Sequence, residues 1–389
     1  MLNYKIKKFI YERLNRIFKK NYVRNFNPYN VKTNLKALLY YKYDRDFLKA
    51  TPGTTLYQSL KIAKALNKNN YLVTVVDRSQ FFKINEKYDI FIGAFNTGGF
   101  RFFENFVNSF KNKNTKIIAL STGANPEIMK KNFKERVKNF YKRNKVKLNH
   151  YTRFNNNLNI NKIFKHVNYL IYFGYRNGFV DKSYQKFNNI KKFEIQSCIS
   201  DQIKFDLKKL KKKKINLKNF LFYSGSSYIH KGLDLIIEAF KQDQSYNLFI
   251  CCPKEEKEFL EFYEIQKYKN IHYIGNVEPN SNLERKIFNK CSYIVSCNCS
   301  GGSAASLSVG RRYGLVPIVS LEEDCNYNGC IIIKKNNLTY VIKMIKKASN
   351  LKINEFKRLS RINYKISFDN SEQNYDKRIS RIINHINNK

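Results

Sequence analysis

Residues 219–240 read NFLFYSGSSYIHKGLDLIIEAF, and this stretch decides the fold. The first five residues form a short apolar run of the kind that becomes a buried strand, and the last eight have the apolar spacing of a helix that faces a core. Between them lies a small polar loop that contains Gly225, Lys231 and Gly232. A strand, a glycine-containing loop and a helix in this order predict one βα unit of a parallel sheet.

The residues that follow repeat this alternation. Apolar runs at 248–251, 271–274, 293–296 and 316–320 predict four more strands. A second small-residue loop, GGSAAS at 301–306, lies between the last two of them and precedes a helical segment. In parallel sheets, ligands bind at the carboxyl ends of the strands, where such loops meet helix N-termini. Both loops are therefore predicted to belong to one ligand site.

Together these motifs resemble the nucleotide-sugar half of a GT-B glycosyltransferase, and within that fold the family 4-like, "group 1" transferases. Ser224-Gly225 with Lys231-Gly232-Leu233-Asp234 resembles the start of that half, and Gly301-Gly302-Ser303 with residues 314–320 resembles the donor-binding loop and helix. The resemblance covers residues 219–335. It implies an α/β protein of GT-B architecture, in which two Rossmann-like parallel-sheet domains face each other across a cleft.

The resemblance also implies the site residues. Lys231 matches the phosphate-contacting lysine and is the predicted catalytic residue, although an ordinary exposed lysine is the alternative. Gly53 matches the glycine loop of the first domain. The full set of predicted donor-binding residues is Gly53, Gly225, Ser226, Lys231, Gly301, Gly302, Ser303, Ala304 and Ser306. The nucleotide sugar is a substrate, so no cofactor is predicted.

Three departures from the family pattern leave a second interpretation open. Ser226 stands where the family usually has arginine, and Gly301 and Val309 stand where it often has two glutamates. No histidine occurs in the glycine loop near Gly53, and no general base can be assigned. The leading hypothesis is a glycosyltransferase that extends a glycan or lipid-linked glycan precursor of a bacterial surface polysaccharide. The alternative is a degenerate GT-B domain that binds a nucleotide or a partner without turnover.

The first half of the chain carries a separate set of strand-like runs, at 35–41, 72–76, 89–93, 116–120, 167–173 and 193–197. We expect residues 1–200 to form the first, acceptor domain, 201–218 a linker, and 219–370 the second domain. Residues 371–389 have the pattern of a terminal helix. The likeness to the GT-B topology implies that this helix packs back on the first domain.

Residues 1–26 have apolar positions at helical spacing and many lysines and arginines, which predicts a basic amphipathic helix. One interpretation is an interfacial helix that lies on an anionic membrane surface. The other is a helix packed on the first domain with a solvated basic face. The sequence favours neither.

Charge and cysteine content limit the other functions and the cellular compartment that can be predicted for this chain. The chain has 389 residues, with 73 Lys and Arg against 30 Asp and Glu, for a formal net charge of +43. The basic residues are spread along the whole chain, so specific nucleic-acid binding is not predicted. The eight cysteines form no zinc motif and suit a reducing cytosol. We expect a cytoplasmic protein, with peripheral attachment to the inner face of the membrane as an extension of that prediction.

Carboxylates are scarce at the predicted strand ends. No paired aspartates of the kind that hold a divalent metal occur there, which predicts metal independence. The nearest acidic cluster is Glu322-Glu323-Asp324, for which a solvated loop is expected. Of the five histidines, only His150 and His230 lie where a test is warranted, and a surface position is expected for both.

Overall fold

The computed structural model describes residues 21–97, 100, 102–149, 158–203, 215–302 and 305–388. In the first half, a sheet has the strand order β1-β3-β2-β4-β5-β6-β7. All neighbouring pairs are parallel except β1 with β3. The strands are β1 (Tyr22–Phe26), β2 (Lys36–Tyr41), β3 (Leu72–Asp77), β4 (Ile90–Ala94), β5 (Lys116–Ser121), β6 (Tyr169–Phe173) and β7 (Lys191–Ile195).

Helices connect these strands, and their starts follow from local side chains. Thr54 caps the first helix by accepting a hydrogen bond from the Tyr57 amide, and Asn125 caps the third, in which proline occupies the first position. The helices are α1 (Thr55–Lys68), α2 (Phe103–Phe110), α3 (Pro126–Asn144), α4 (Ile160–Phe164) and α5 (Phe179–Ser183).

The second half contains a six-stranded, fully parallel sheet in the order β10-β9-β8-β11-β12-β13. Its strands are β8 (Asn219–Tyr223), β9 (Asn247–Cys251), β10 (Ile271–Tyr273), β11 (Tyr293–Ser296), β12 (Val316–Ser320) and β13 (Ile331–Ile333). Its helices are α6 (Tyr228–Lys231), α7 (Leu233–Gln242), α8 (Lys257–Tyr263), α9 (Asn282–Lys290), α10 (Ala305–Arg312), α11 (Leu338–Ser349) and α12 (Ile353–Ile366), and the chain ends with α13 (Glu372–Asn387). The predicted α/β class with two parallel-dominated sheets is confirmed.

Each sheet has one point where the order of the strands reverses. In the first sheet it lies between β2 and β4, and in the second, whose order is that of a Rossmann fold, it lies between β8 and β11. Loops that leave neighbouring strands in opposite directions open a crevice at such a point, and ligands bind there. The strand order therefore predicts a ligand site at the loops after β2, β4, β8 and β11.

The predicted N-terminal helix is wrong for its last turn. Residues 22–26 form β1, in which Tyr22 and Val23 pair with Val76 and Val75 of β3. Phe26 is buried with its ring against Phe47. Hydrogen bonds along the open edge of the sheet outweigh the helical spacing of the apolar residues. The rest of the predicted helix, residues 1–20, lies outside the described part of the chain.

Two elements cross between the halves. Helix α3 follows the fifth strand of the first sheet, yet Met129, Phe133 and Phe140 belong to the core of the second half. The terminal helix α13 runs the other way, with five side chains in the core of the first half: Tyr375, Ile379, Ile382, Ile383 and Ile386. Lys61 of α1 forms an ion pair with Asp376 at 2.7 Å. The two halves are therefore packed against each other through exchanged helices.

Shortening a buried side chain of the terminal helix is expected to destabilise the first half. Ile379 is fully buried, so Ile379→Ala should lower the free energy of unfolding by about 2–5 kcal/mol through lost burial and the cavity left behind. Urea unfolding followed by circular dichroism measures this. The exposed Arg381→Ala on the same helix is the control and should change stability by less than about 0.5 kcal/mol. Equal effects of the two changes would show that α13 is not part of the core.

Candidate functional site

A cleft of about 550 Å³ lies between the two sheets, where the loops of both reversal points meet. Every predicted donor-site residue that the structure describes lines this cleft. They are Gly53, Gly225, Ser226, Lys231, Gly301, Gly302 and Ser306. Ser303 and Ala304 lie outside the described residues. Residues that are far apart in the sequence are thus brought together on facing walls of one cavity.

Lys231 is held at the cleft by a tight turn. It ends the single-turn helix α6, which is flanked by Ser227 and Gly232, both in the left-handed backbone region with φ of 75° and 76°. A side chain at position 232 would place its Cβ 2.6 Å from the Cys297 carbonyl oxygen. Position 232 therefore requires glycine for both conformation and space. The turn fixes the lysine beside the start of α7 and next to the second loop.

His230 is not at the surface, so the expectation for it is wrong. It is 2% exposed, and its Nε2 lies 2.9 Å from the Ser300 hydroxyl oxygen. Its backbone carbonyl accepts a hydrogen bond from the Cys299 amide at 3.1 Å. The residue joins the loop after β8 to the loop after β11, which is a tertiary contact that local sequence does not reveal. His150, the other histidine singled out, lies outside the described residues.

The second loop is threaded through a narrow space. The Gly301 amide donates to the Glu322 carbonyl at 2.6 Å, and the Gly301 carbonyl accepts from the Ala124 amide at 3.2 Å. A Cβ at position 301 would lie 2.1 Å from the Glu322 carbonyl oxygen. A Cβ at Gly302 would lie 2.5 Å from the Thr122 carbonyl oxygen of the other half. This packing leaves no room for the glutamate that the related family often has at position 301.

The structure adds cleft residues that the sequence did not single out. They are Arg78, which follows β3, and Asn276, Asn280, Glu284 and Asn298 from the second half. Arg78 forms no ion pair with the described residues, and its backbone carbonyl accepts the Tyr40 hydroxyl. Its position directly after a predicted strand end was the available signal. It supplies a second cationic side chain, from the wall opposite Lys231.

Glu284 is a buried carboxylate at the cleft. It lies at the third position of α9 after the capping residue Ser281, whose hydroxyl accepts from the Glu284 amide at 3.1 Å. This Ser-x-x-Glu pattern is a capping signature that the sequence shows. Here Oε1 of the glutamate accepts the Tyr313 hydroxyl at 2.9 Å. Burial raises the pKa of Glu284, and the Tyr313 hydroxyl partly offsets that effect.

The acidic cluster after β12 is mostly buried, which corrects the expectation of a solvated loop. Glu323 and Asp324 are 0% exposed. The Ser296 hydroxyl donates to Glu323 at 2.5 Å, and the Val180 amide at the start of α5 donates to Asp324 at 2.9 Å. Burial raises the pKa of Asp324 to about 6. This loop therefore links the second half to a helix start in the first half.

Two further properties can be stated for the part of the chain that the structure describes. No three histidine, cysteine, aspartate or glutamate side chains are grouped so that they could hold a metal ion. None of the described helices is both long enough and apolar enough to cross a membrane.

No protein-family model matches the sequence, and no curated protein matches it either. Solved structures do match over nearly the whole chain. Sucrose-phosphate synthase from Thermosynechococcus elongatus has a TM-score of 0.62 at 7% identity, and the match covers 91% of this chain and 99% of that one. A glycosyltransferase from Rickettsia africae has a TM-score of 0.57 at 14% identity, with 91% and 98% covered. HepE from Anabaena, solved with UDP and glucose, has a TM-score of 0.57 at 9% identity, with 90% and 100% covered. The predicted GT-B fold is confirmed.

A methyl group at position 301 is expected to disturb the second loop. Gly301→Ala should lower the free energy of unfolding by about 1–3 kcal/mol, because the Glu322 carbonyl must move to admit the new Cβ. Gly225→Ala is the matched control, since a Cβ there meets nothing within 4 Å and should cost less than about 0.5 kcal/mol. Both are measured by urea unfolding. Equal stabilities of the two variants would contradict the crowding at position 301.

Asp324 is expected to give the protein a pH-dependent stability. Its folded pKa of about 6 exceeds the ordinary aspartate value of 3.8, so the folded state holds the proton more tightly. The stability that this proton contributes is present below about pH 4 and is lost as the pH rises through about 6. Asn cannot ionise, so relative to wild type Asp324→Asn should gain about 1–3 kcal/mol between pH 4 and pH 7. Urea unfolding midpoints of both proteins at pH 4 and pH 7 test this. A difference in stability between wild type and Asp324→Asn that is the same at both pH values would argue against a raised pKa.

Proposed function

We propose that this GT-B protein is a glycosyltransferase that moves a sugar from a nucleotide-sugar donor to a glycan or lipid-linked glycan precursor of the surface-polysaccharide type. The observation that carries the proposal is the meeting of the predicted donor-binding residues in one interdomain cleft. Gly225, Lys231 and Gly301 lie on one wall, and Gly53 lies on the other. The solved structures to which this chain is similar include a glycosyltransferase and a sucrose-phosphate synthase, which also supports the proposal.

The chemistry of transfer requires positive potential where the sugar–phosphate bond breaks. Negative charge grows on the leaving diphosphate, and fixed cations and backbone amides stabilise it best when they are positioned in advance. We assign this role to Lys231, to the backbone amide of Gly302, and to the N-terminal end of α10. Arg78 adds charge from the opposite wall. The proposal therefore includes transfer without a divalent metal.

We also propose a class of donor nucleotide and a class of acceptor. HepE was solved with UDP and glucose, which makes a uridine nucleotide the first donor to test. The first-domain wall of the cleft carries Thr54, Gln58, Thr97 and Arg78, and such hydroxyl, amide and guanidinium groups suit a hydroxyl-rich acceptor. A cytoplasmic location, with residues 1–20 on an anionic membrane, completes the proposed setting. Binding of the full chain to anionic and neutral vesicles tests that part separately.

One observation favours the second candidate function. A Cβ at position 301 would meet the Glu322 carbonyl oxygen, which leaves no space for the glutamate that the resembled family often has there, and Ser226 stands where that family usually has an arginine. A cleft of this kind could hold a nucleotide firmly without promoting transfer. The second candidate is thus a binding protein that has kept the GT-B fold. Binding and turnover must be measured independently to separate the two.

A nucleotide panel with a Lys231 variant tests the proposed site. A nucleotide or nucleotide sugar that binds only the folded protein should stabilise it by about 2.7 kcal/mol at a hundred times its Kd. We expect thermal stabilisation by one base family, with UDP and UDP-glucose first, and we expect Lys231→Ala to weaken it at least tenfold. Lys257→Ala is the control, because this lysine is exposed on α8 and does not line the cleft. Addition of EDTA should leave the binding unchanged.

Turnover decides between the two candidates. Slow hydrolysis of the stabilising nucleotide sugar, detected as released sugar and diphosphate, would support the transferase. Binding that is lost in Lys231→Ala but is accompanied by no hydrolysis or transfer would favour the degenerate binding protein. A panel in which no nucleotide shifts the melting temperature would refute the donor site itself.

A further inference from the structure

Arg311 is a buried cation without a carboxylate partner. It lies in the last turn of α10 and is 1% exposed, and no aspartate or glutamate among the described residues pairs with it. Its Nη2 donates to the Asn326 carbonyl oxygen, a neutral acceptor. A buried charge is costly unless an opposite charge or a full set of hydrogen bonds offsets it. A nearby anion would therefore stabilise the buried charge of Arg311.

Two sulfur atoms occupy the place where that anion is needed. Cys330 Sγ lies 3.0 Å from Arg311 Nη2, and Cys325 Sγ lies 3.6 Å from the same nitrogen. The Asn326 carbonyl oxygen lies 3.5 Å from Cys330 Sγ. Of the eight cysteines, Cys330 is partly exposed and the other seven are buried. The site therefore combines a cation, a second thiol and a cysteine that is partly exposed.

We propose that Arg311 holds Cys330 as a thiolate, and that Cys330 and Cys325 form a thiol pair that hydroperoxides oxidise. The arginine supplies the fixed positive charge that a reactive cysteine requires. Cys325 lies beside the thiolate on the same loop and serves as the resolving thiol.

The ionisation of the pair agrees with this geometry. A hydrogen bond from Cys325, followed by the charge of Arg311, lowers the pKa of Cys330 to about 7, against the opposing effect of burial. The same hydrogen bond raises the pKa of Cys325. Tyr175 from the first half, and Glu323 and Tyr327 on the same loop, are other titratable groups that face this cluster. None of these groups carries a positive charge, so Arg311 is the cation that favours the thiolate, together with the hydrogen bond from Cys325.

The oxidation balances with a hydroperoxide as the oxidant. The Cys330 thiolate attacks one peroxide oxygen, an S–O bond forms, the O–O bond breaks, and the leaving oxygen departs with a proton as water or alcohol. The resulting sulfenic acid is attacked by the Cys325 sulfur, and an S–S bond forms as a second water leaves. Two thiols lose two electrons in total, and the peroxide gains them. Thiol reductants reverse the disulfide.

The position of the pair connects it to the cleft. Arg311 lies on α10, which begins directly after the loop at Gly301 and Gly302. The segment that carries Cys325 also holds the Gly301 amide through the Glu322 carbonyl. Oxidation would remove the anion that compensates Arg311 and tighten this segment. On the basis of the proposed function, we therefore expect the disulfide form to bind the donor nucleotide at least threefold more weakly.

The first experiment measures thiol reactivity of the full chain and does not depend on any donor. Limiting iodoacetamide is added at pH 7, and tryptic peptides are analysed by mass spectrometry. Cys325 and Cys330 share the peptide 313–334, and Cys291, Cys297 and Cys299 share 291–311 as internal controls. We expect Cys330 to be alkylated at least tenfold faster than the controls, with a pH midpoint near 7. Equal rates for all cysteines would overturn the proposal.

Variants separate the contributions of the cluster. Arg311→Gln should slow Cys330 alkylation at least fivefold, and unchanged reactivity in a folded variant would refute the role of the arginine. Hydrogen peroxide should convert peptide 313–334 to a form that lacks two hydrogens, and Cys325→Ala should instead leave a sulfenic acid that dimedone traps. The peroxide treatment and the Cys325→Ala variant both retain Arg311. They therefore test the thiol pair even if Arg311→Gln does not fold. Peroxide treatment that leaves peptide 313–334 reduced would refute the thiol pair.

Nucleotide binding is then compared before and after oxidation, and after reduction by dithiothreitol. Weaker binding that dithiothreitol restores, and that Cys330→Ser abolishes, supports the link to the cleft. Oxidation of the pair with unchanged nucleotide binding would refute that link but leave the thiol chemistry standing. A protein that binds no nucleotide in either state would count against the proposed function alone, because the alkylation result is independent of it.

Discussion

The cleft depends on a buried ionic contact between α3 and α7. Asp234 is 0% exposed, and Arg143 Nη2 lies 2.6 Å from its Oδ2, while Arg143 Nε lies 2.7 Å from Glu238 Oε2. Arg136, also buried, lies 3.8 Å from the other Asp234 oxygen and donates to the Cys297 carbonyl. Removal of one partner from such a cluster leaves an uncompensated buried charge, which typically costs about 3–5 kcal/mol. The contact therefore fixes a helix of the first half on the second half.

Fixing α3 also fixes the site. The helix begins directly after the loop at Thr122 and Gly123, so its attachment brings that loop against Gly302, where a Cβ would lie 2.5 Å from the Thr122 carbonyl oxygen. Each glycine at the contact serves close approach of two backbones, and that requirement removes side chains from the cleft. At this contact the wall of the cleft is backbone, while the cations Lys231 and Arg78 lie elsewhere in its lining. The same packing that builds the cleft limits the chemistry available in it.

The sequence predicted most strands because strands buried on both faces are continuous apolar runs. β11, at residues 293–296, was predicted with its observed bounds. Residues 22–26 were misassigned because only Phe26 of this edge strand is buried, so the helical spacing upstream dominated the pattern. In the site, the glycine and lysine loops have local signatures. His230, Glu323 and Asp324 do not, since their environments come from distant segments: the partner of Asp324, Val180, is 144 residues away.

The segment from Glu322 to Cys330 contacts the cleft loop, a helix of the first half and the buried Arg311. It holds Gly301 through a backbone hydrogen bond, caps α5 through Asp324, and carries both sulfurs that face Arg311. Nine residues of backbone thus contact three different environments. If a ligand in the cleft alters the proton affinity of Asp324 or Cys330 through this segment, thermodynamic linkage requires that protonation of that group alter the affinity for the ligand by the same factor. The tertiary contacts that local sequence does not reveal are also what place these carboxylate and thiol groups on the segment that holds the loop at Gly301.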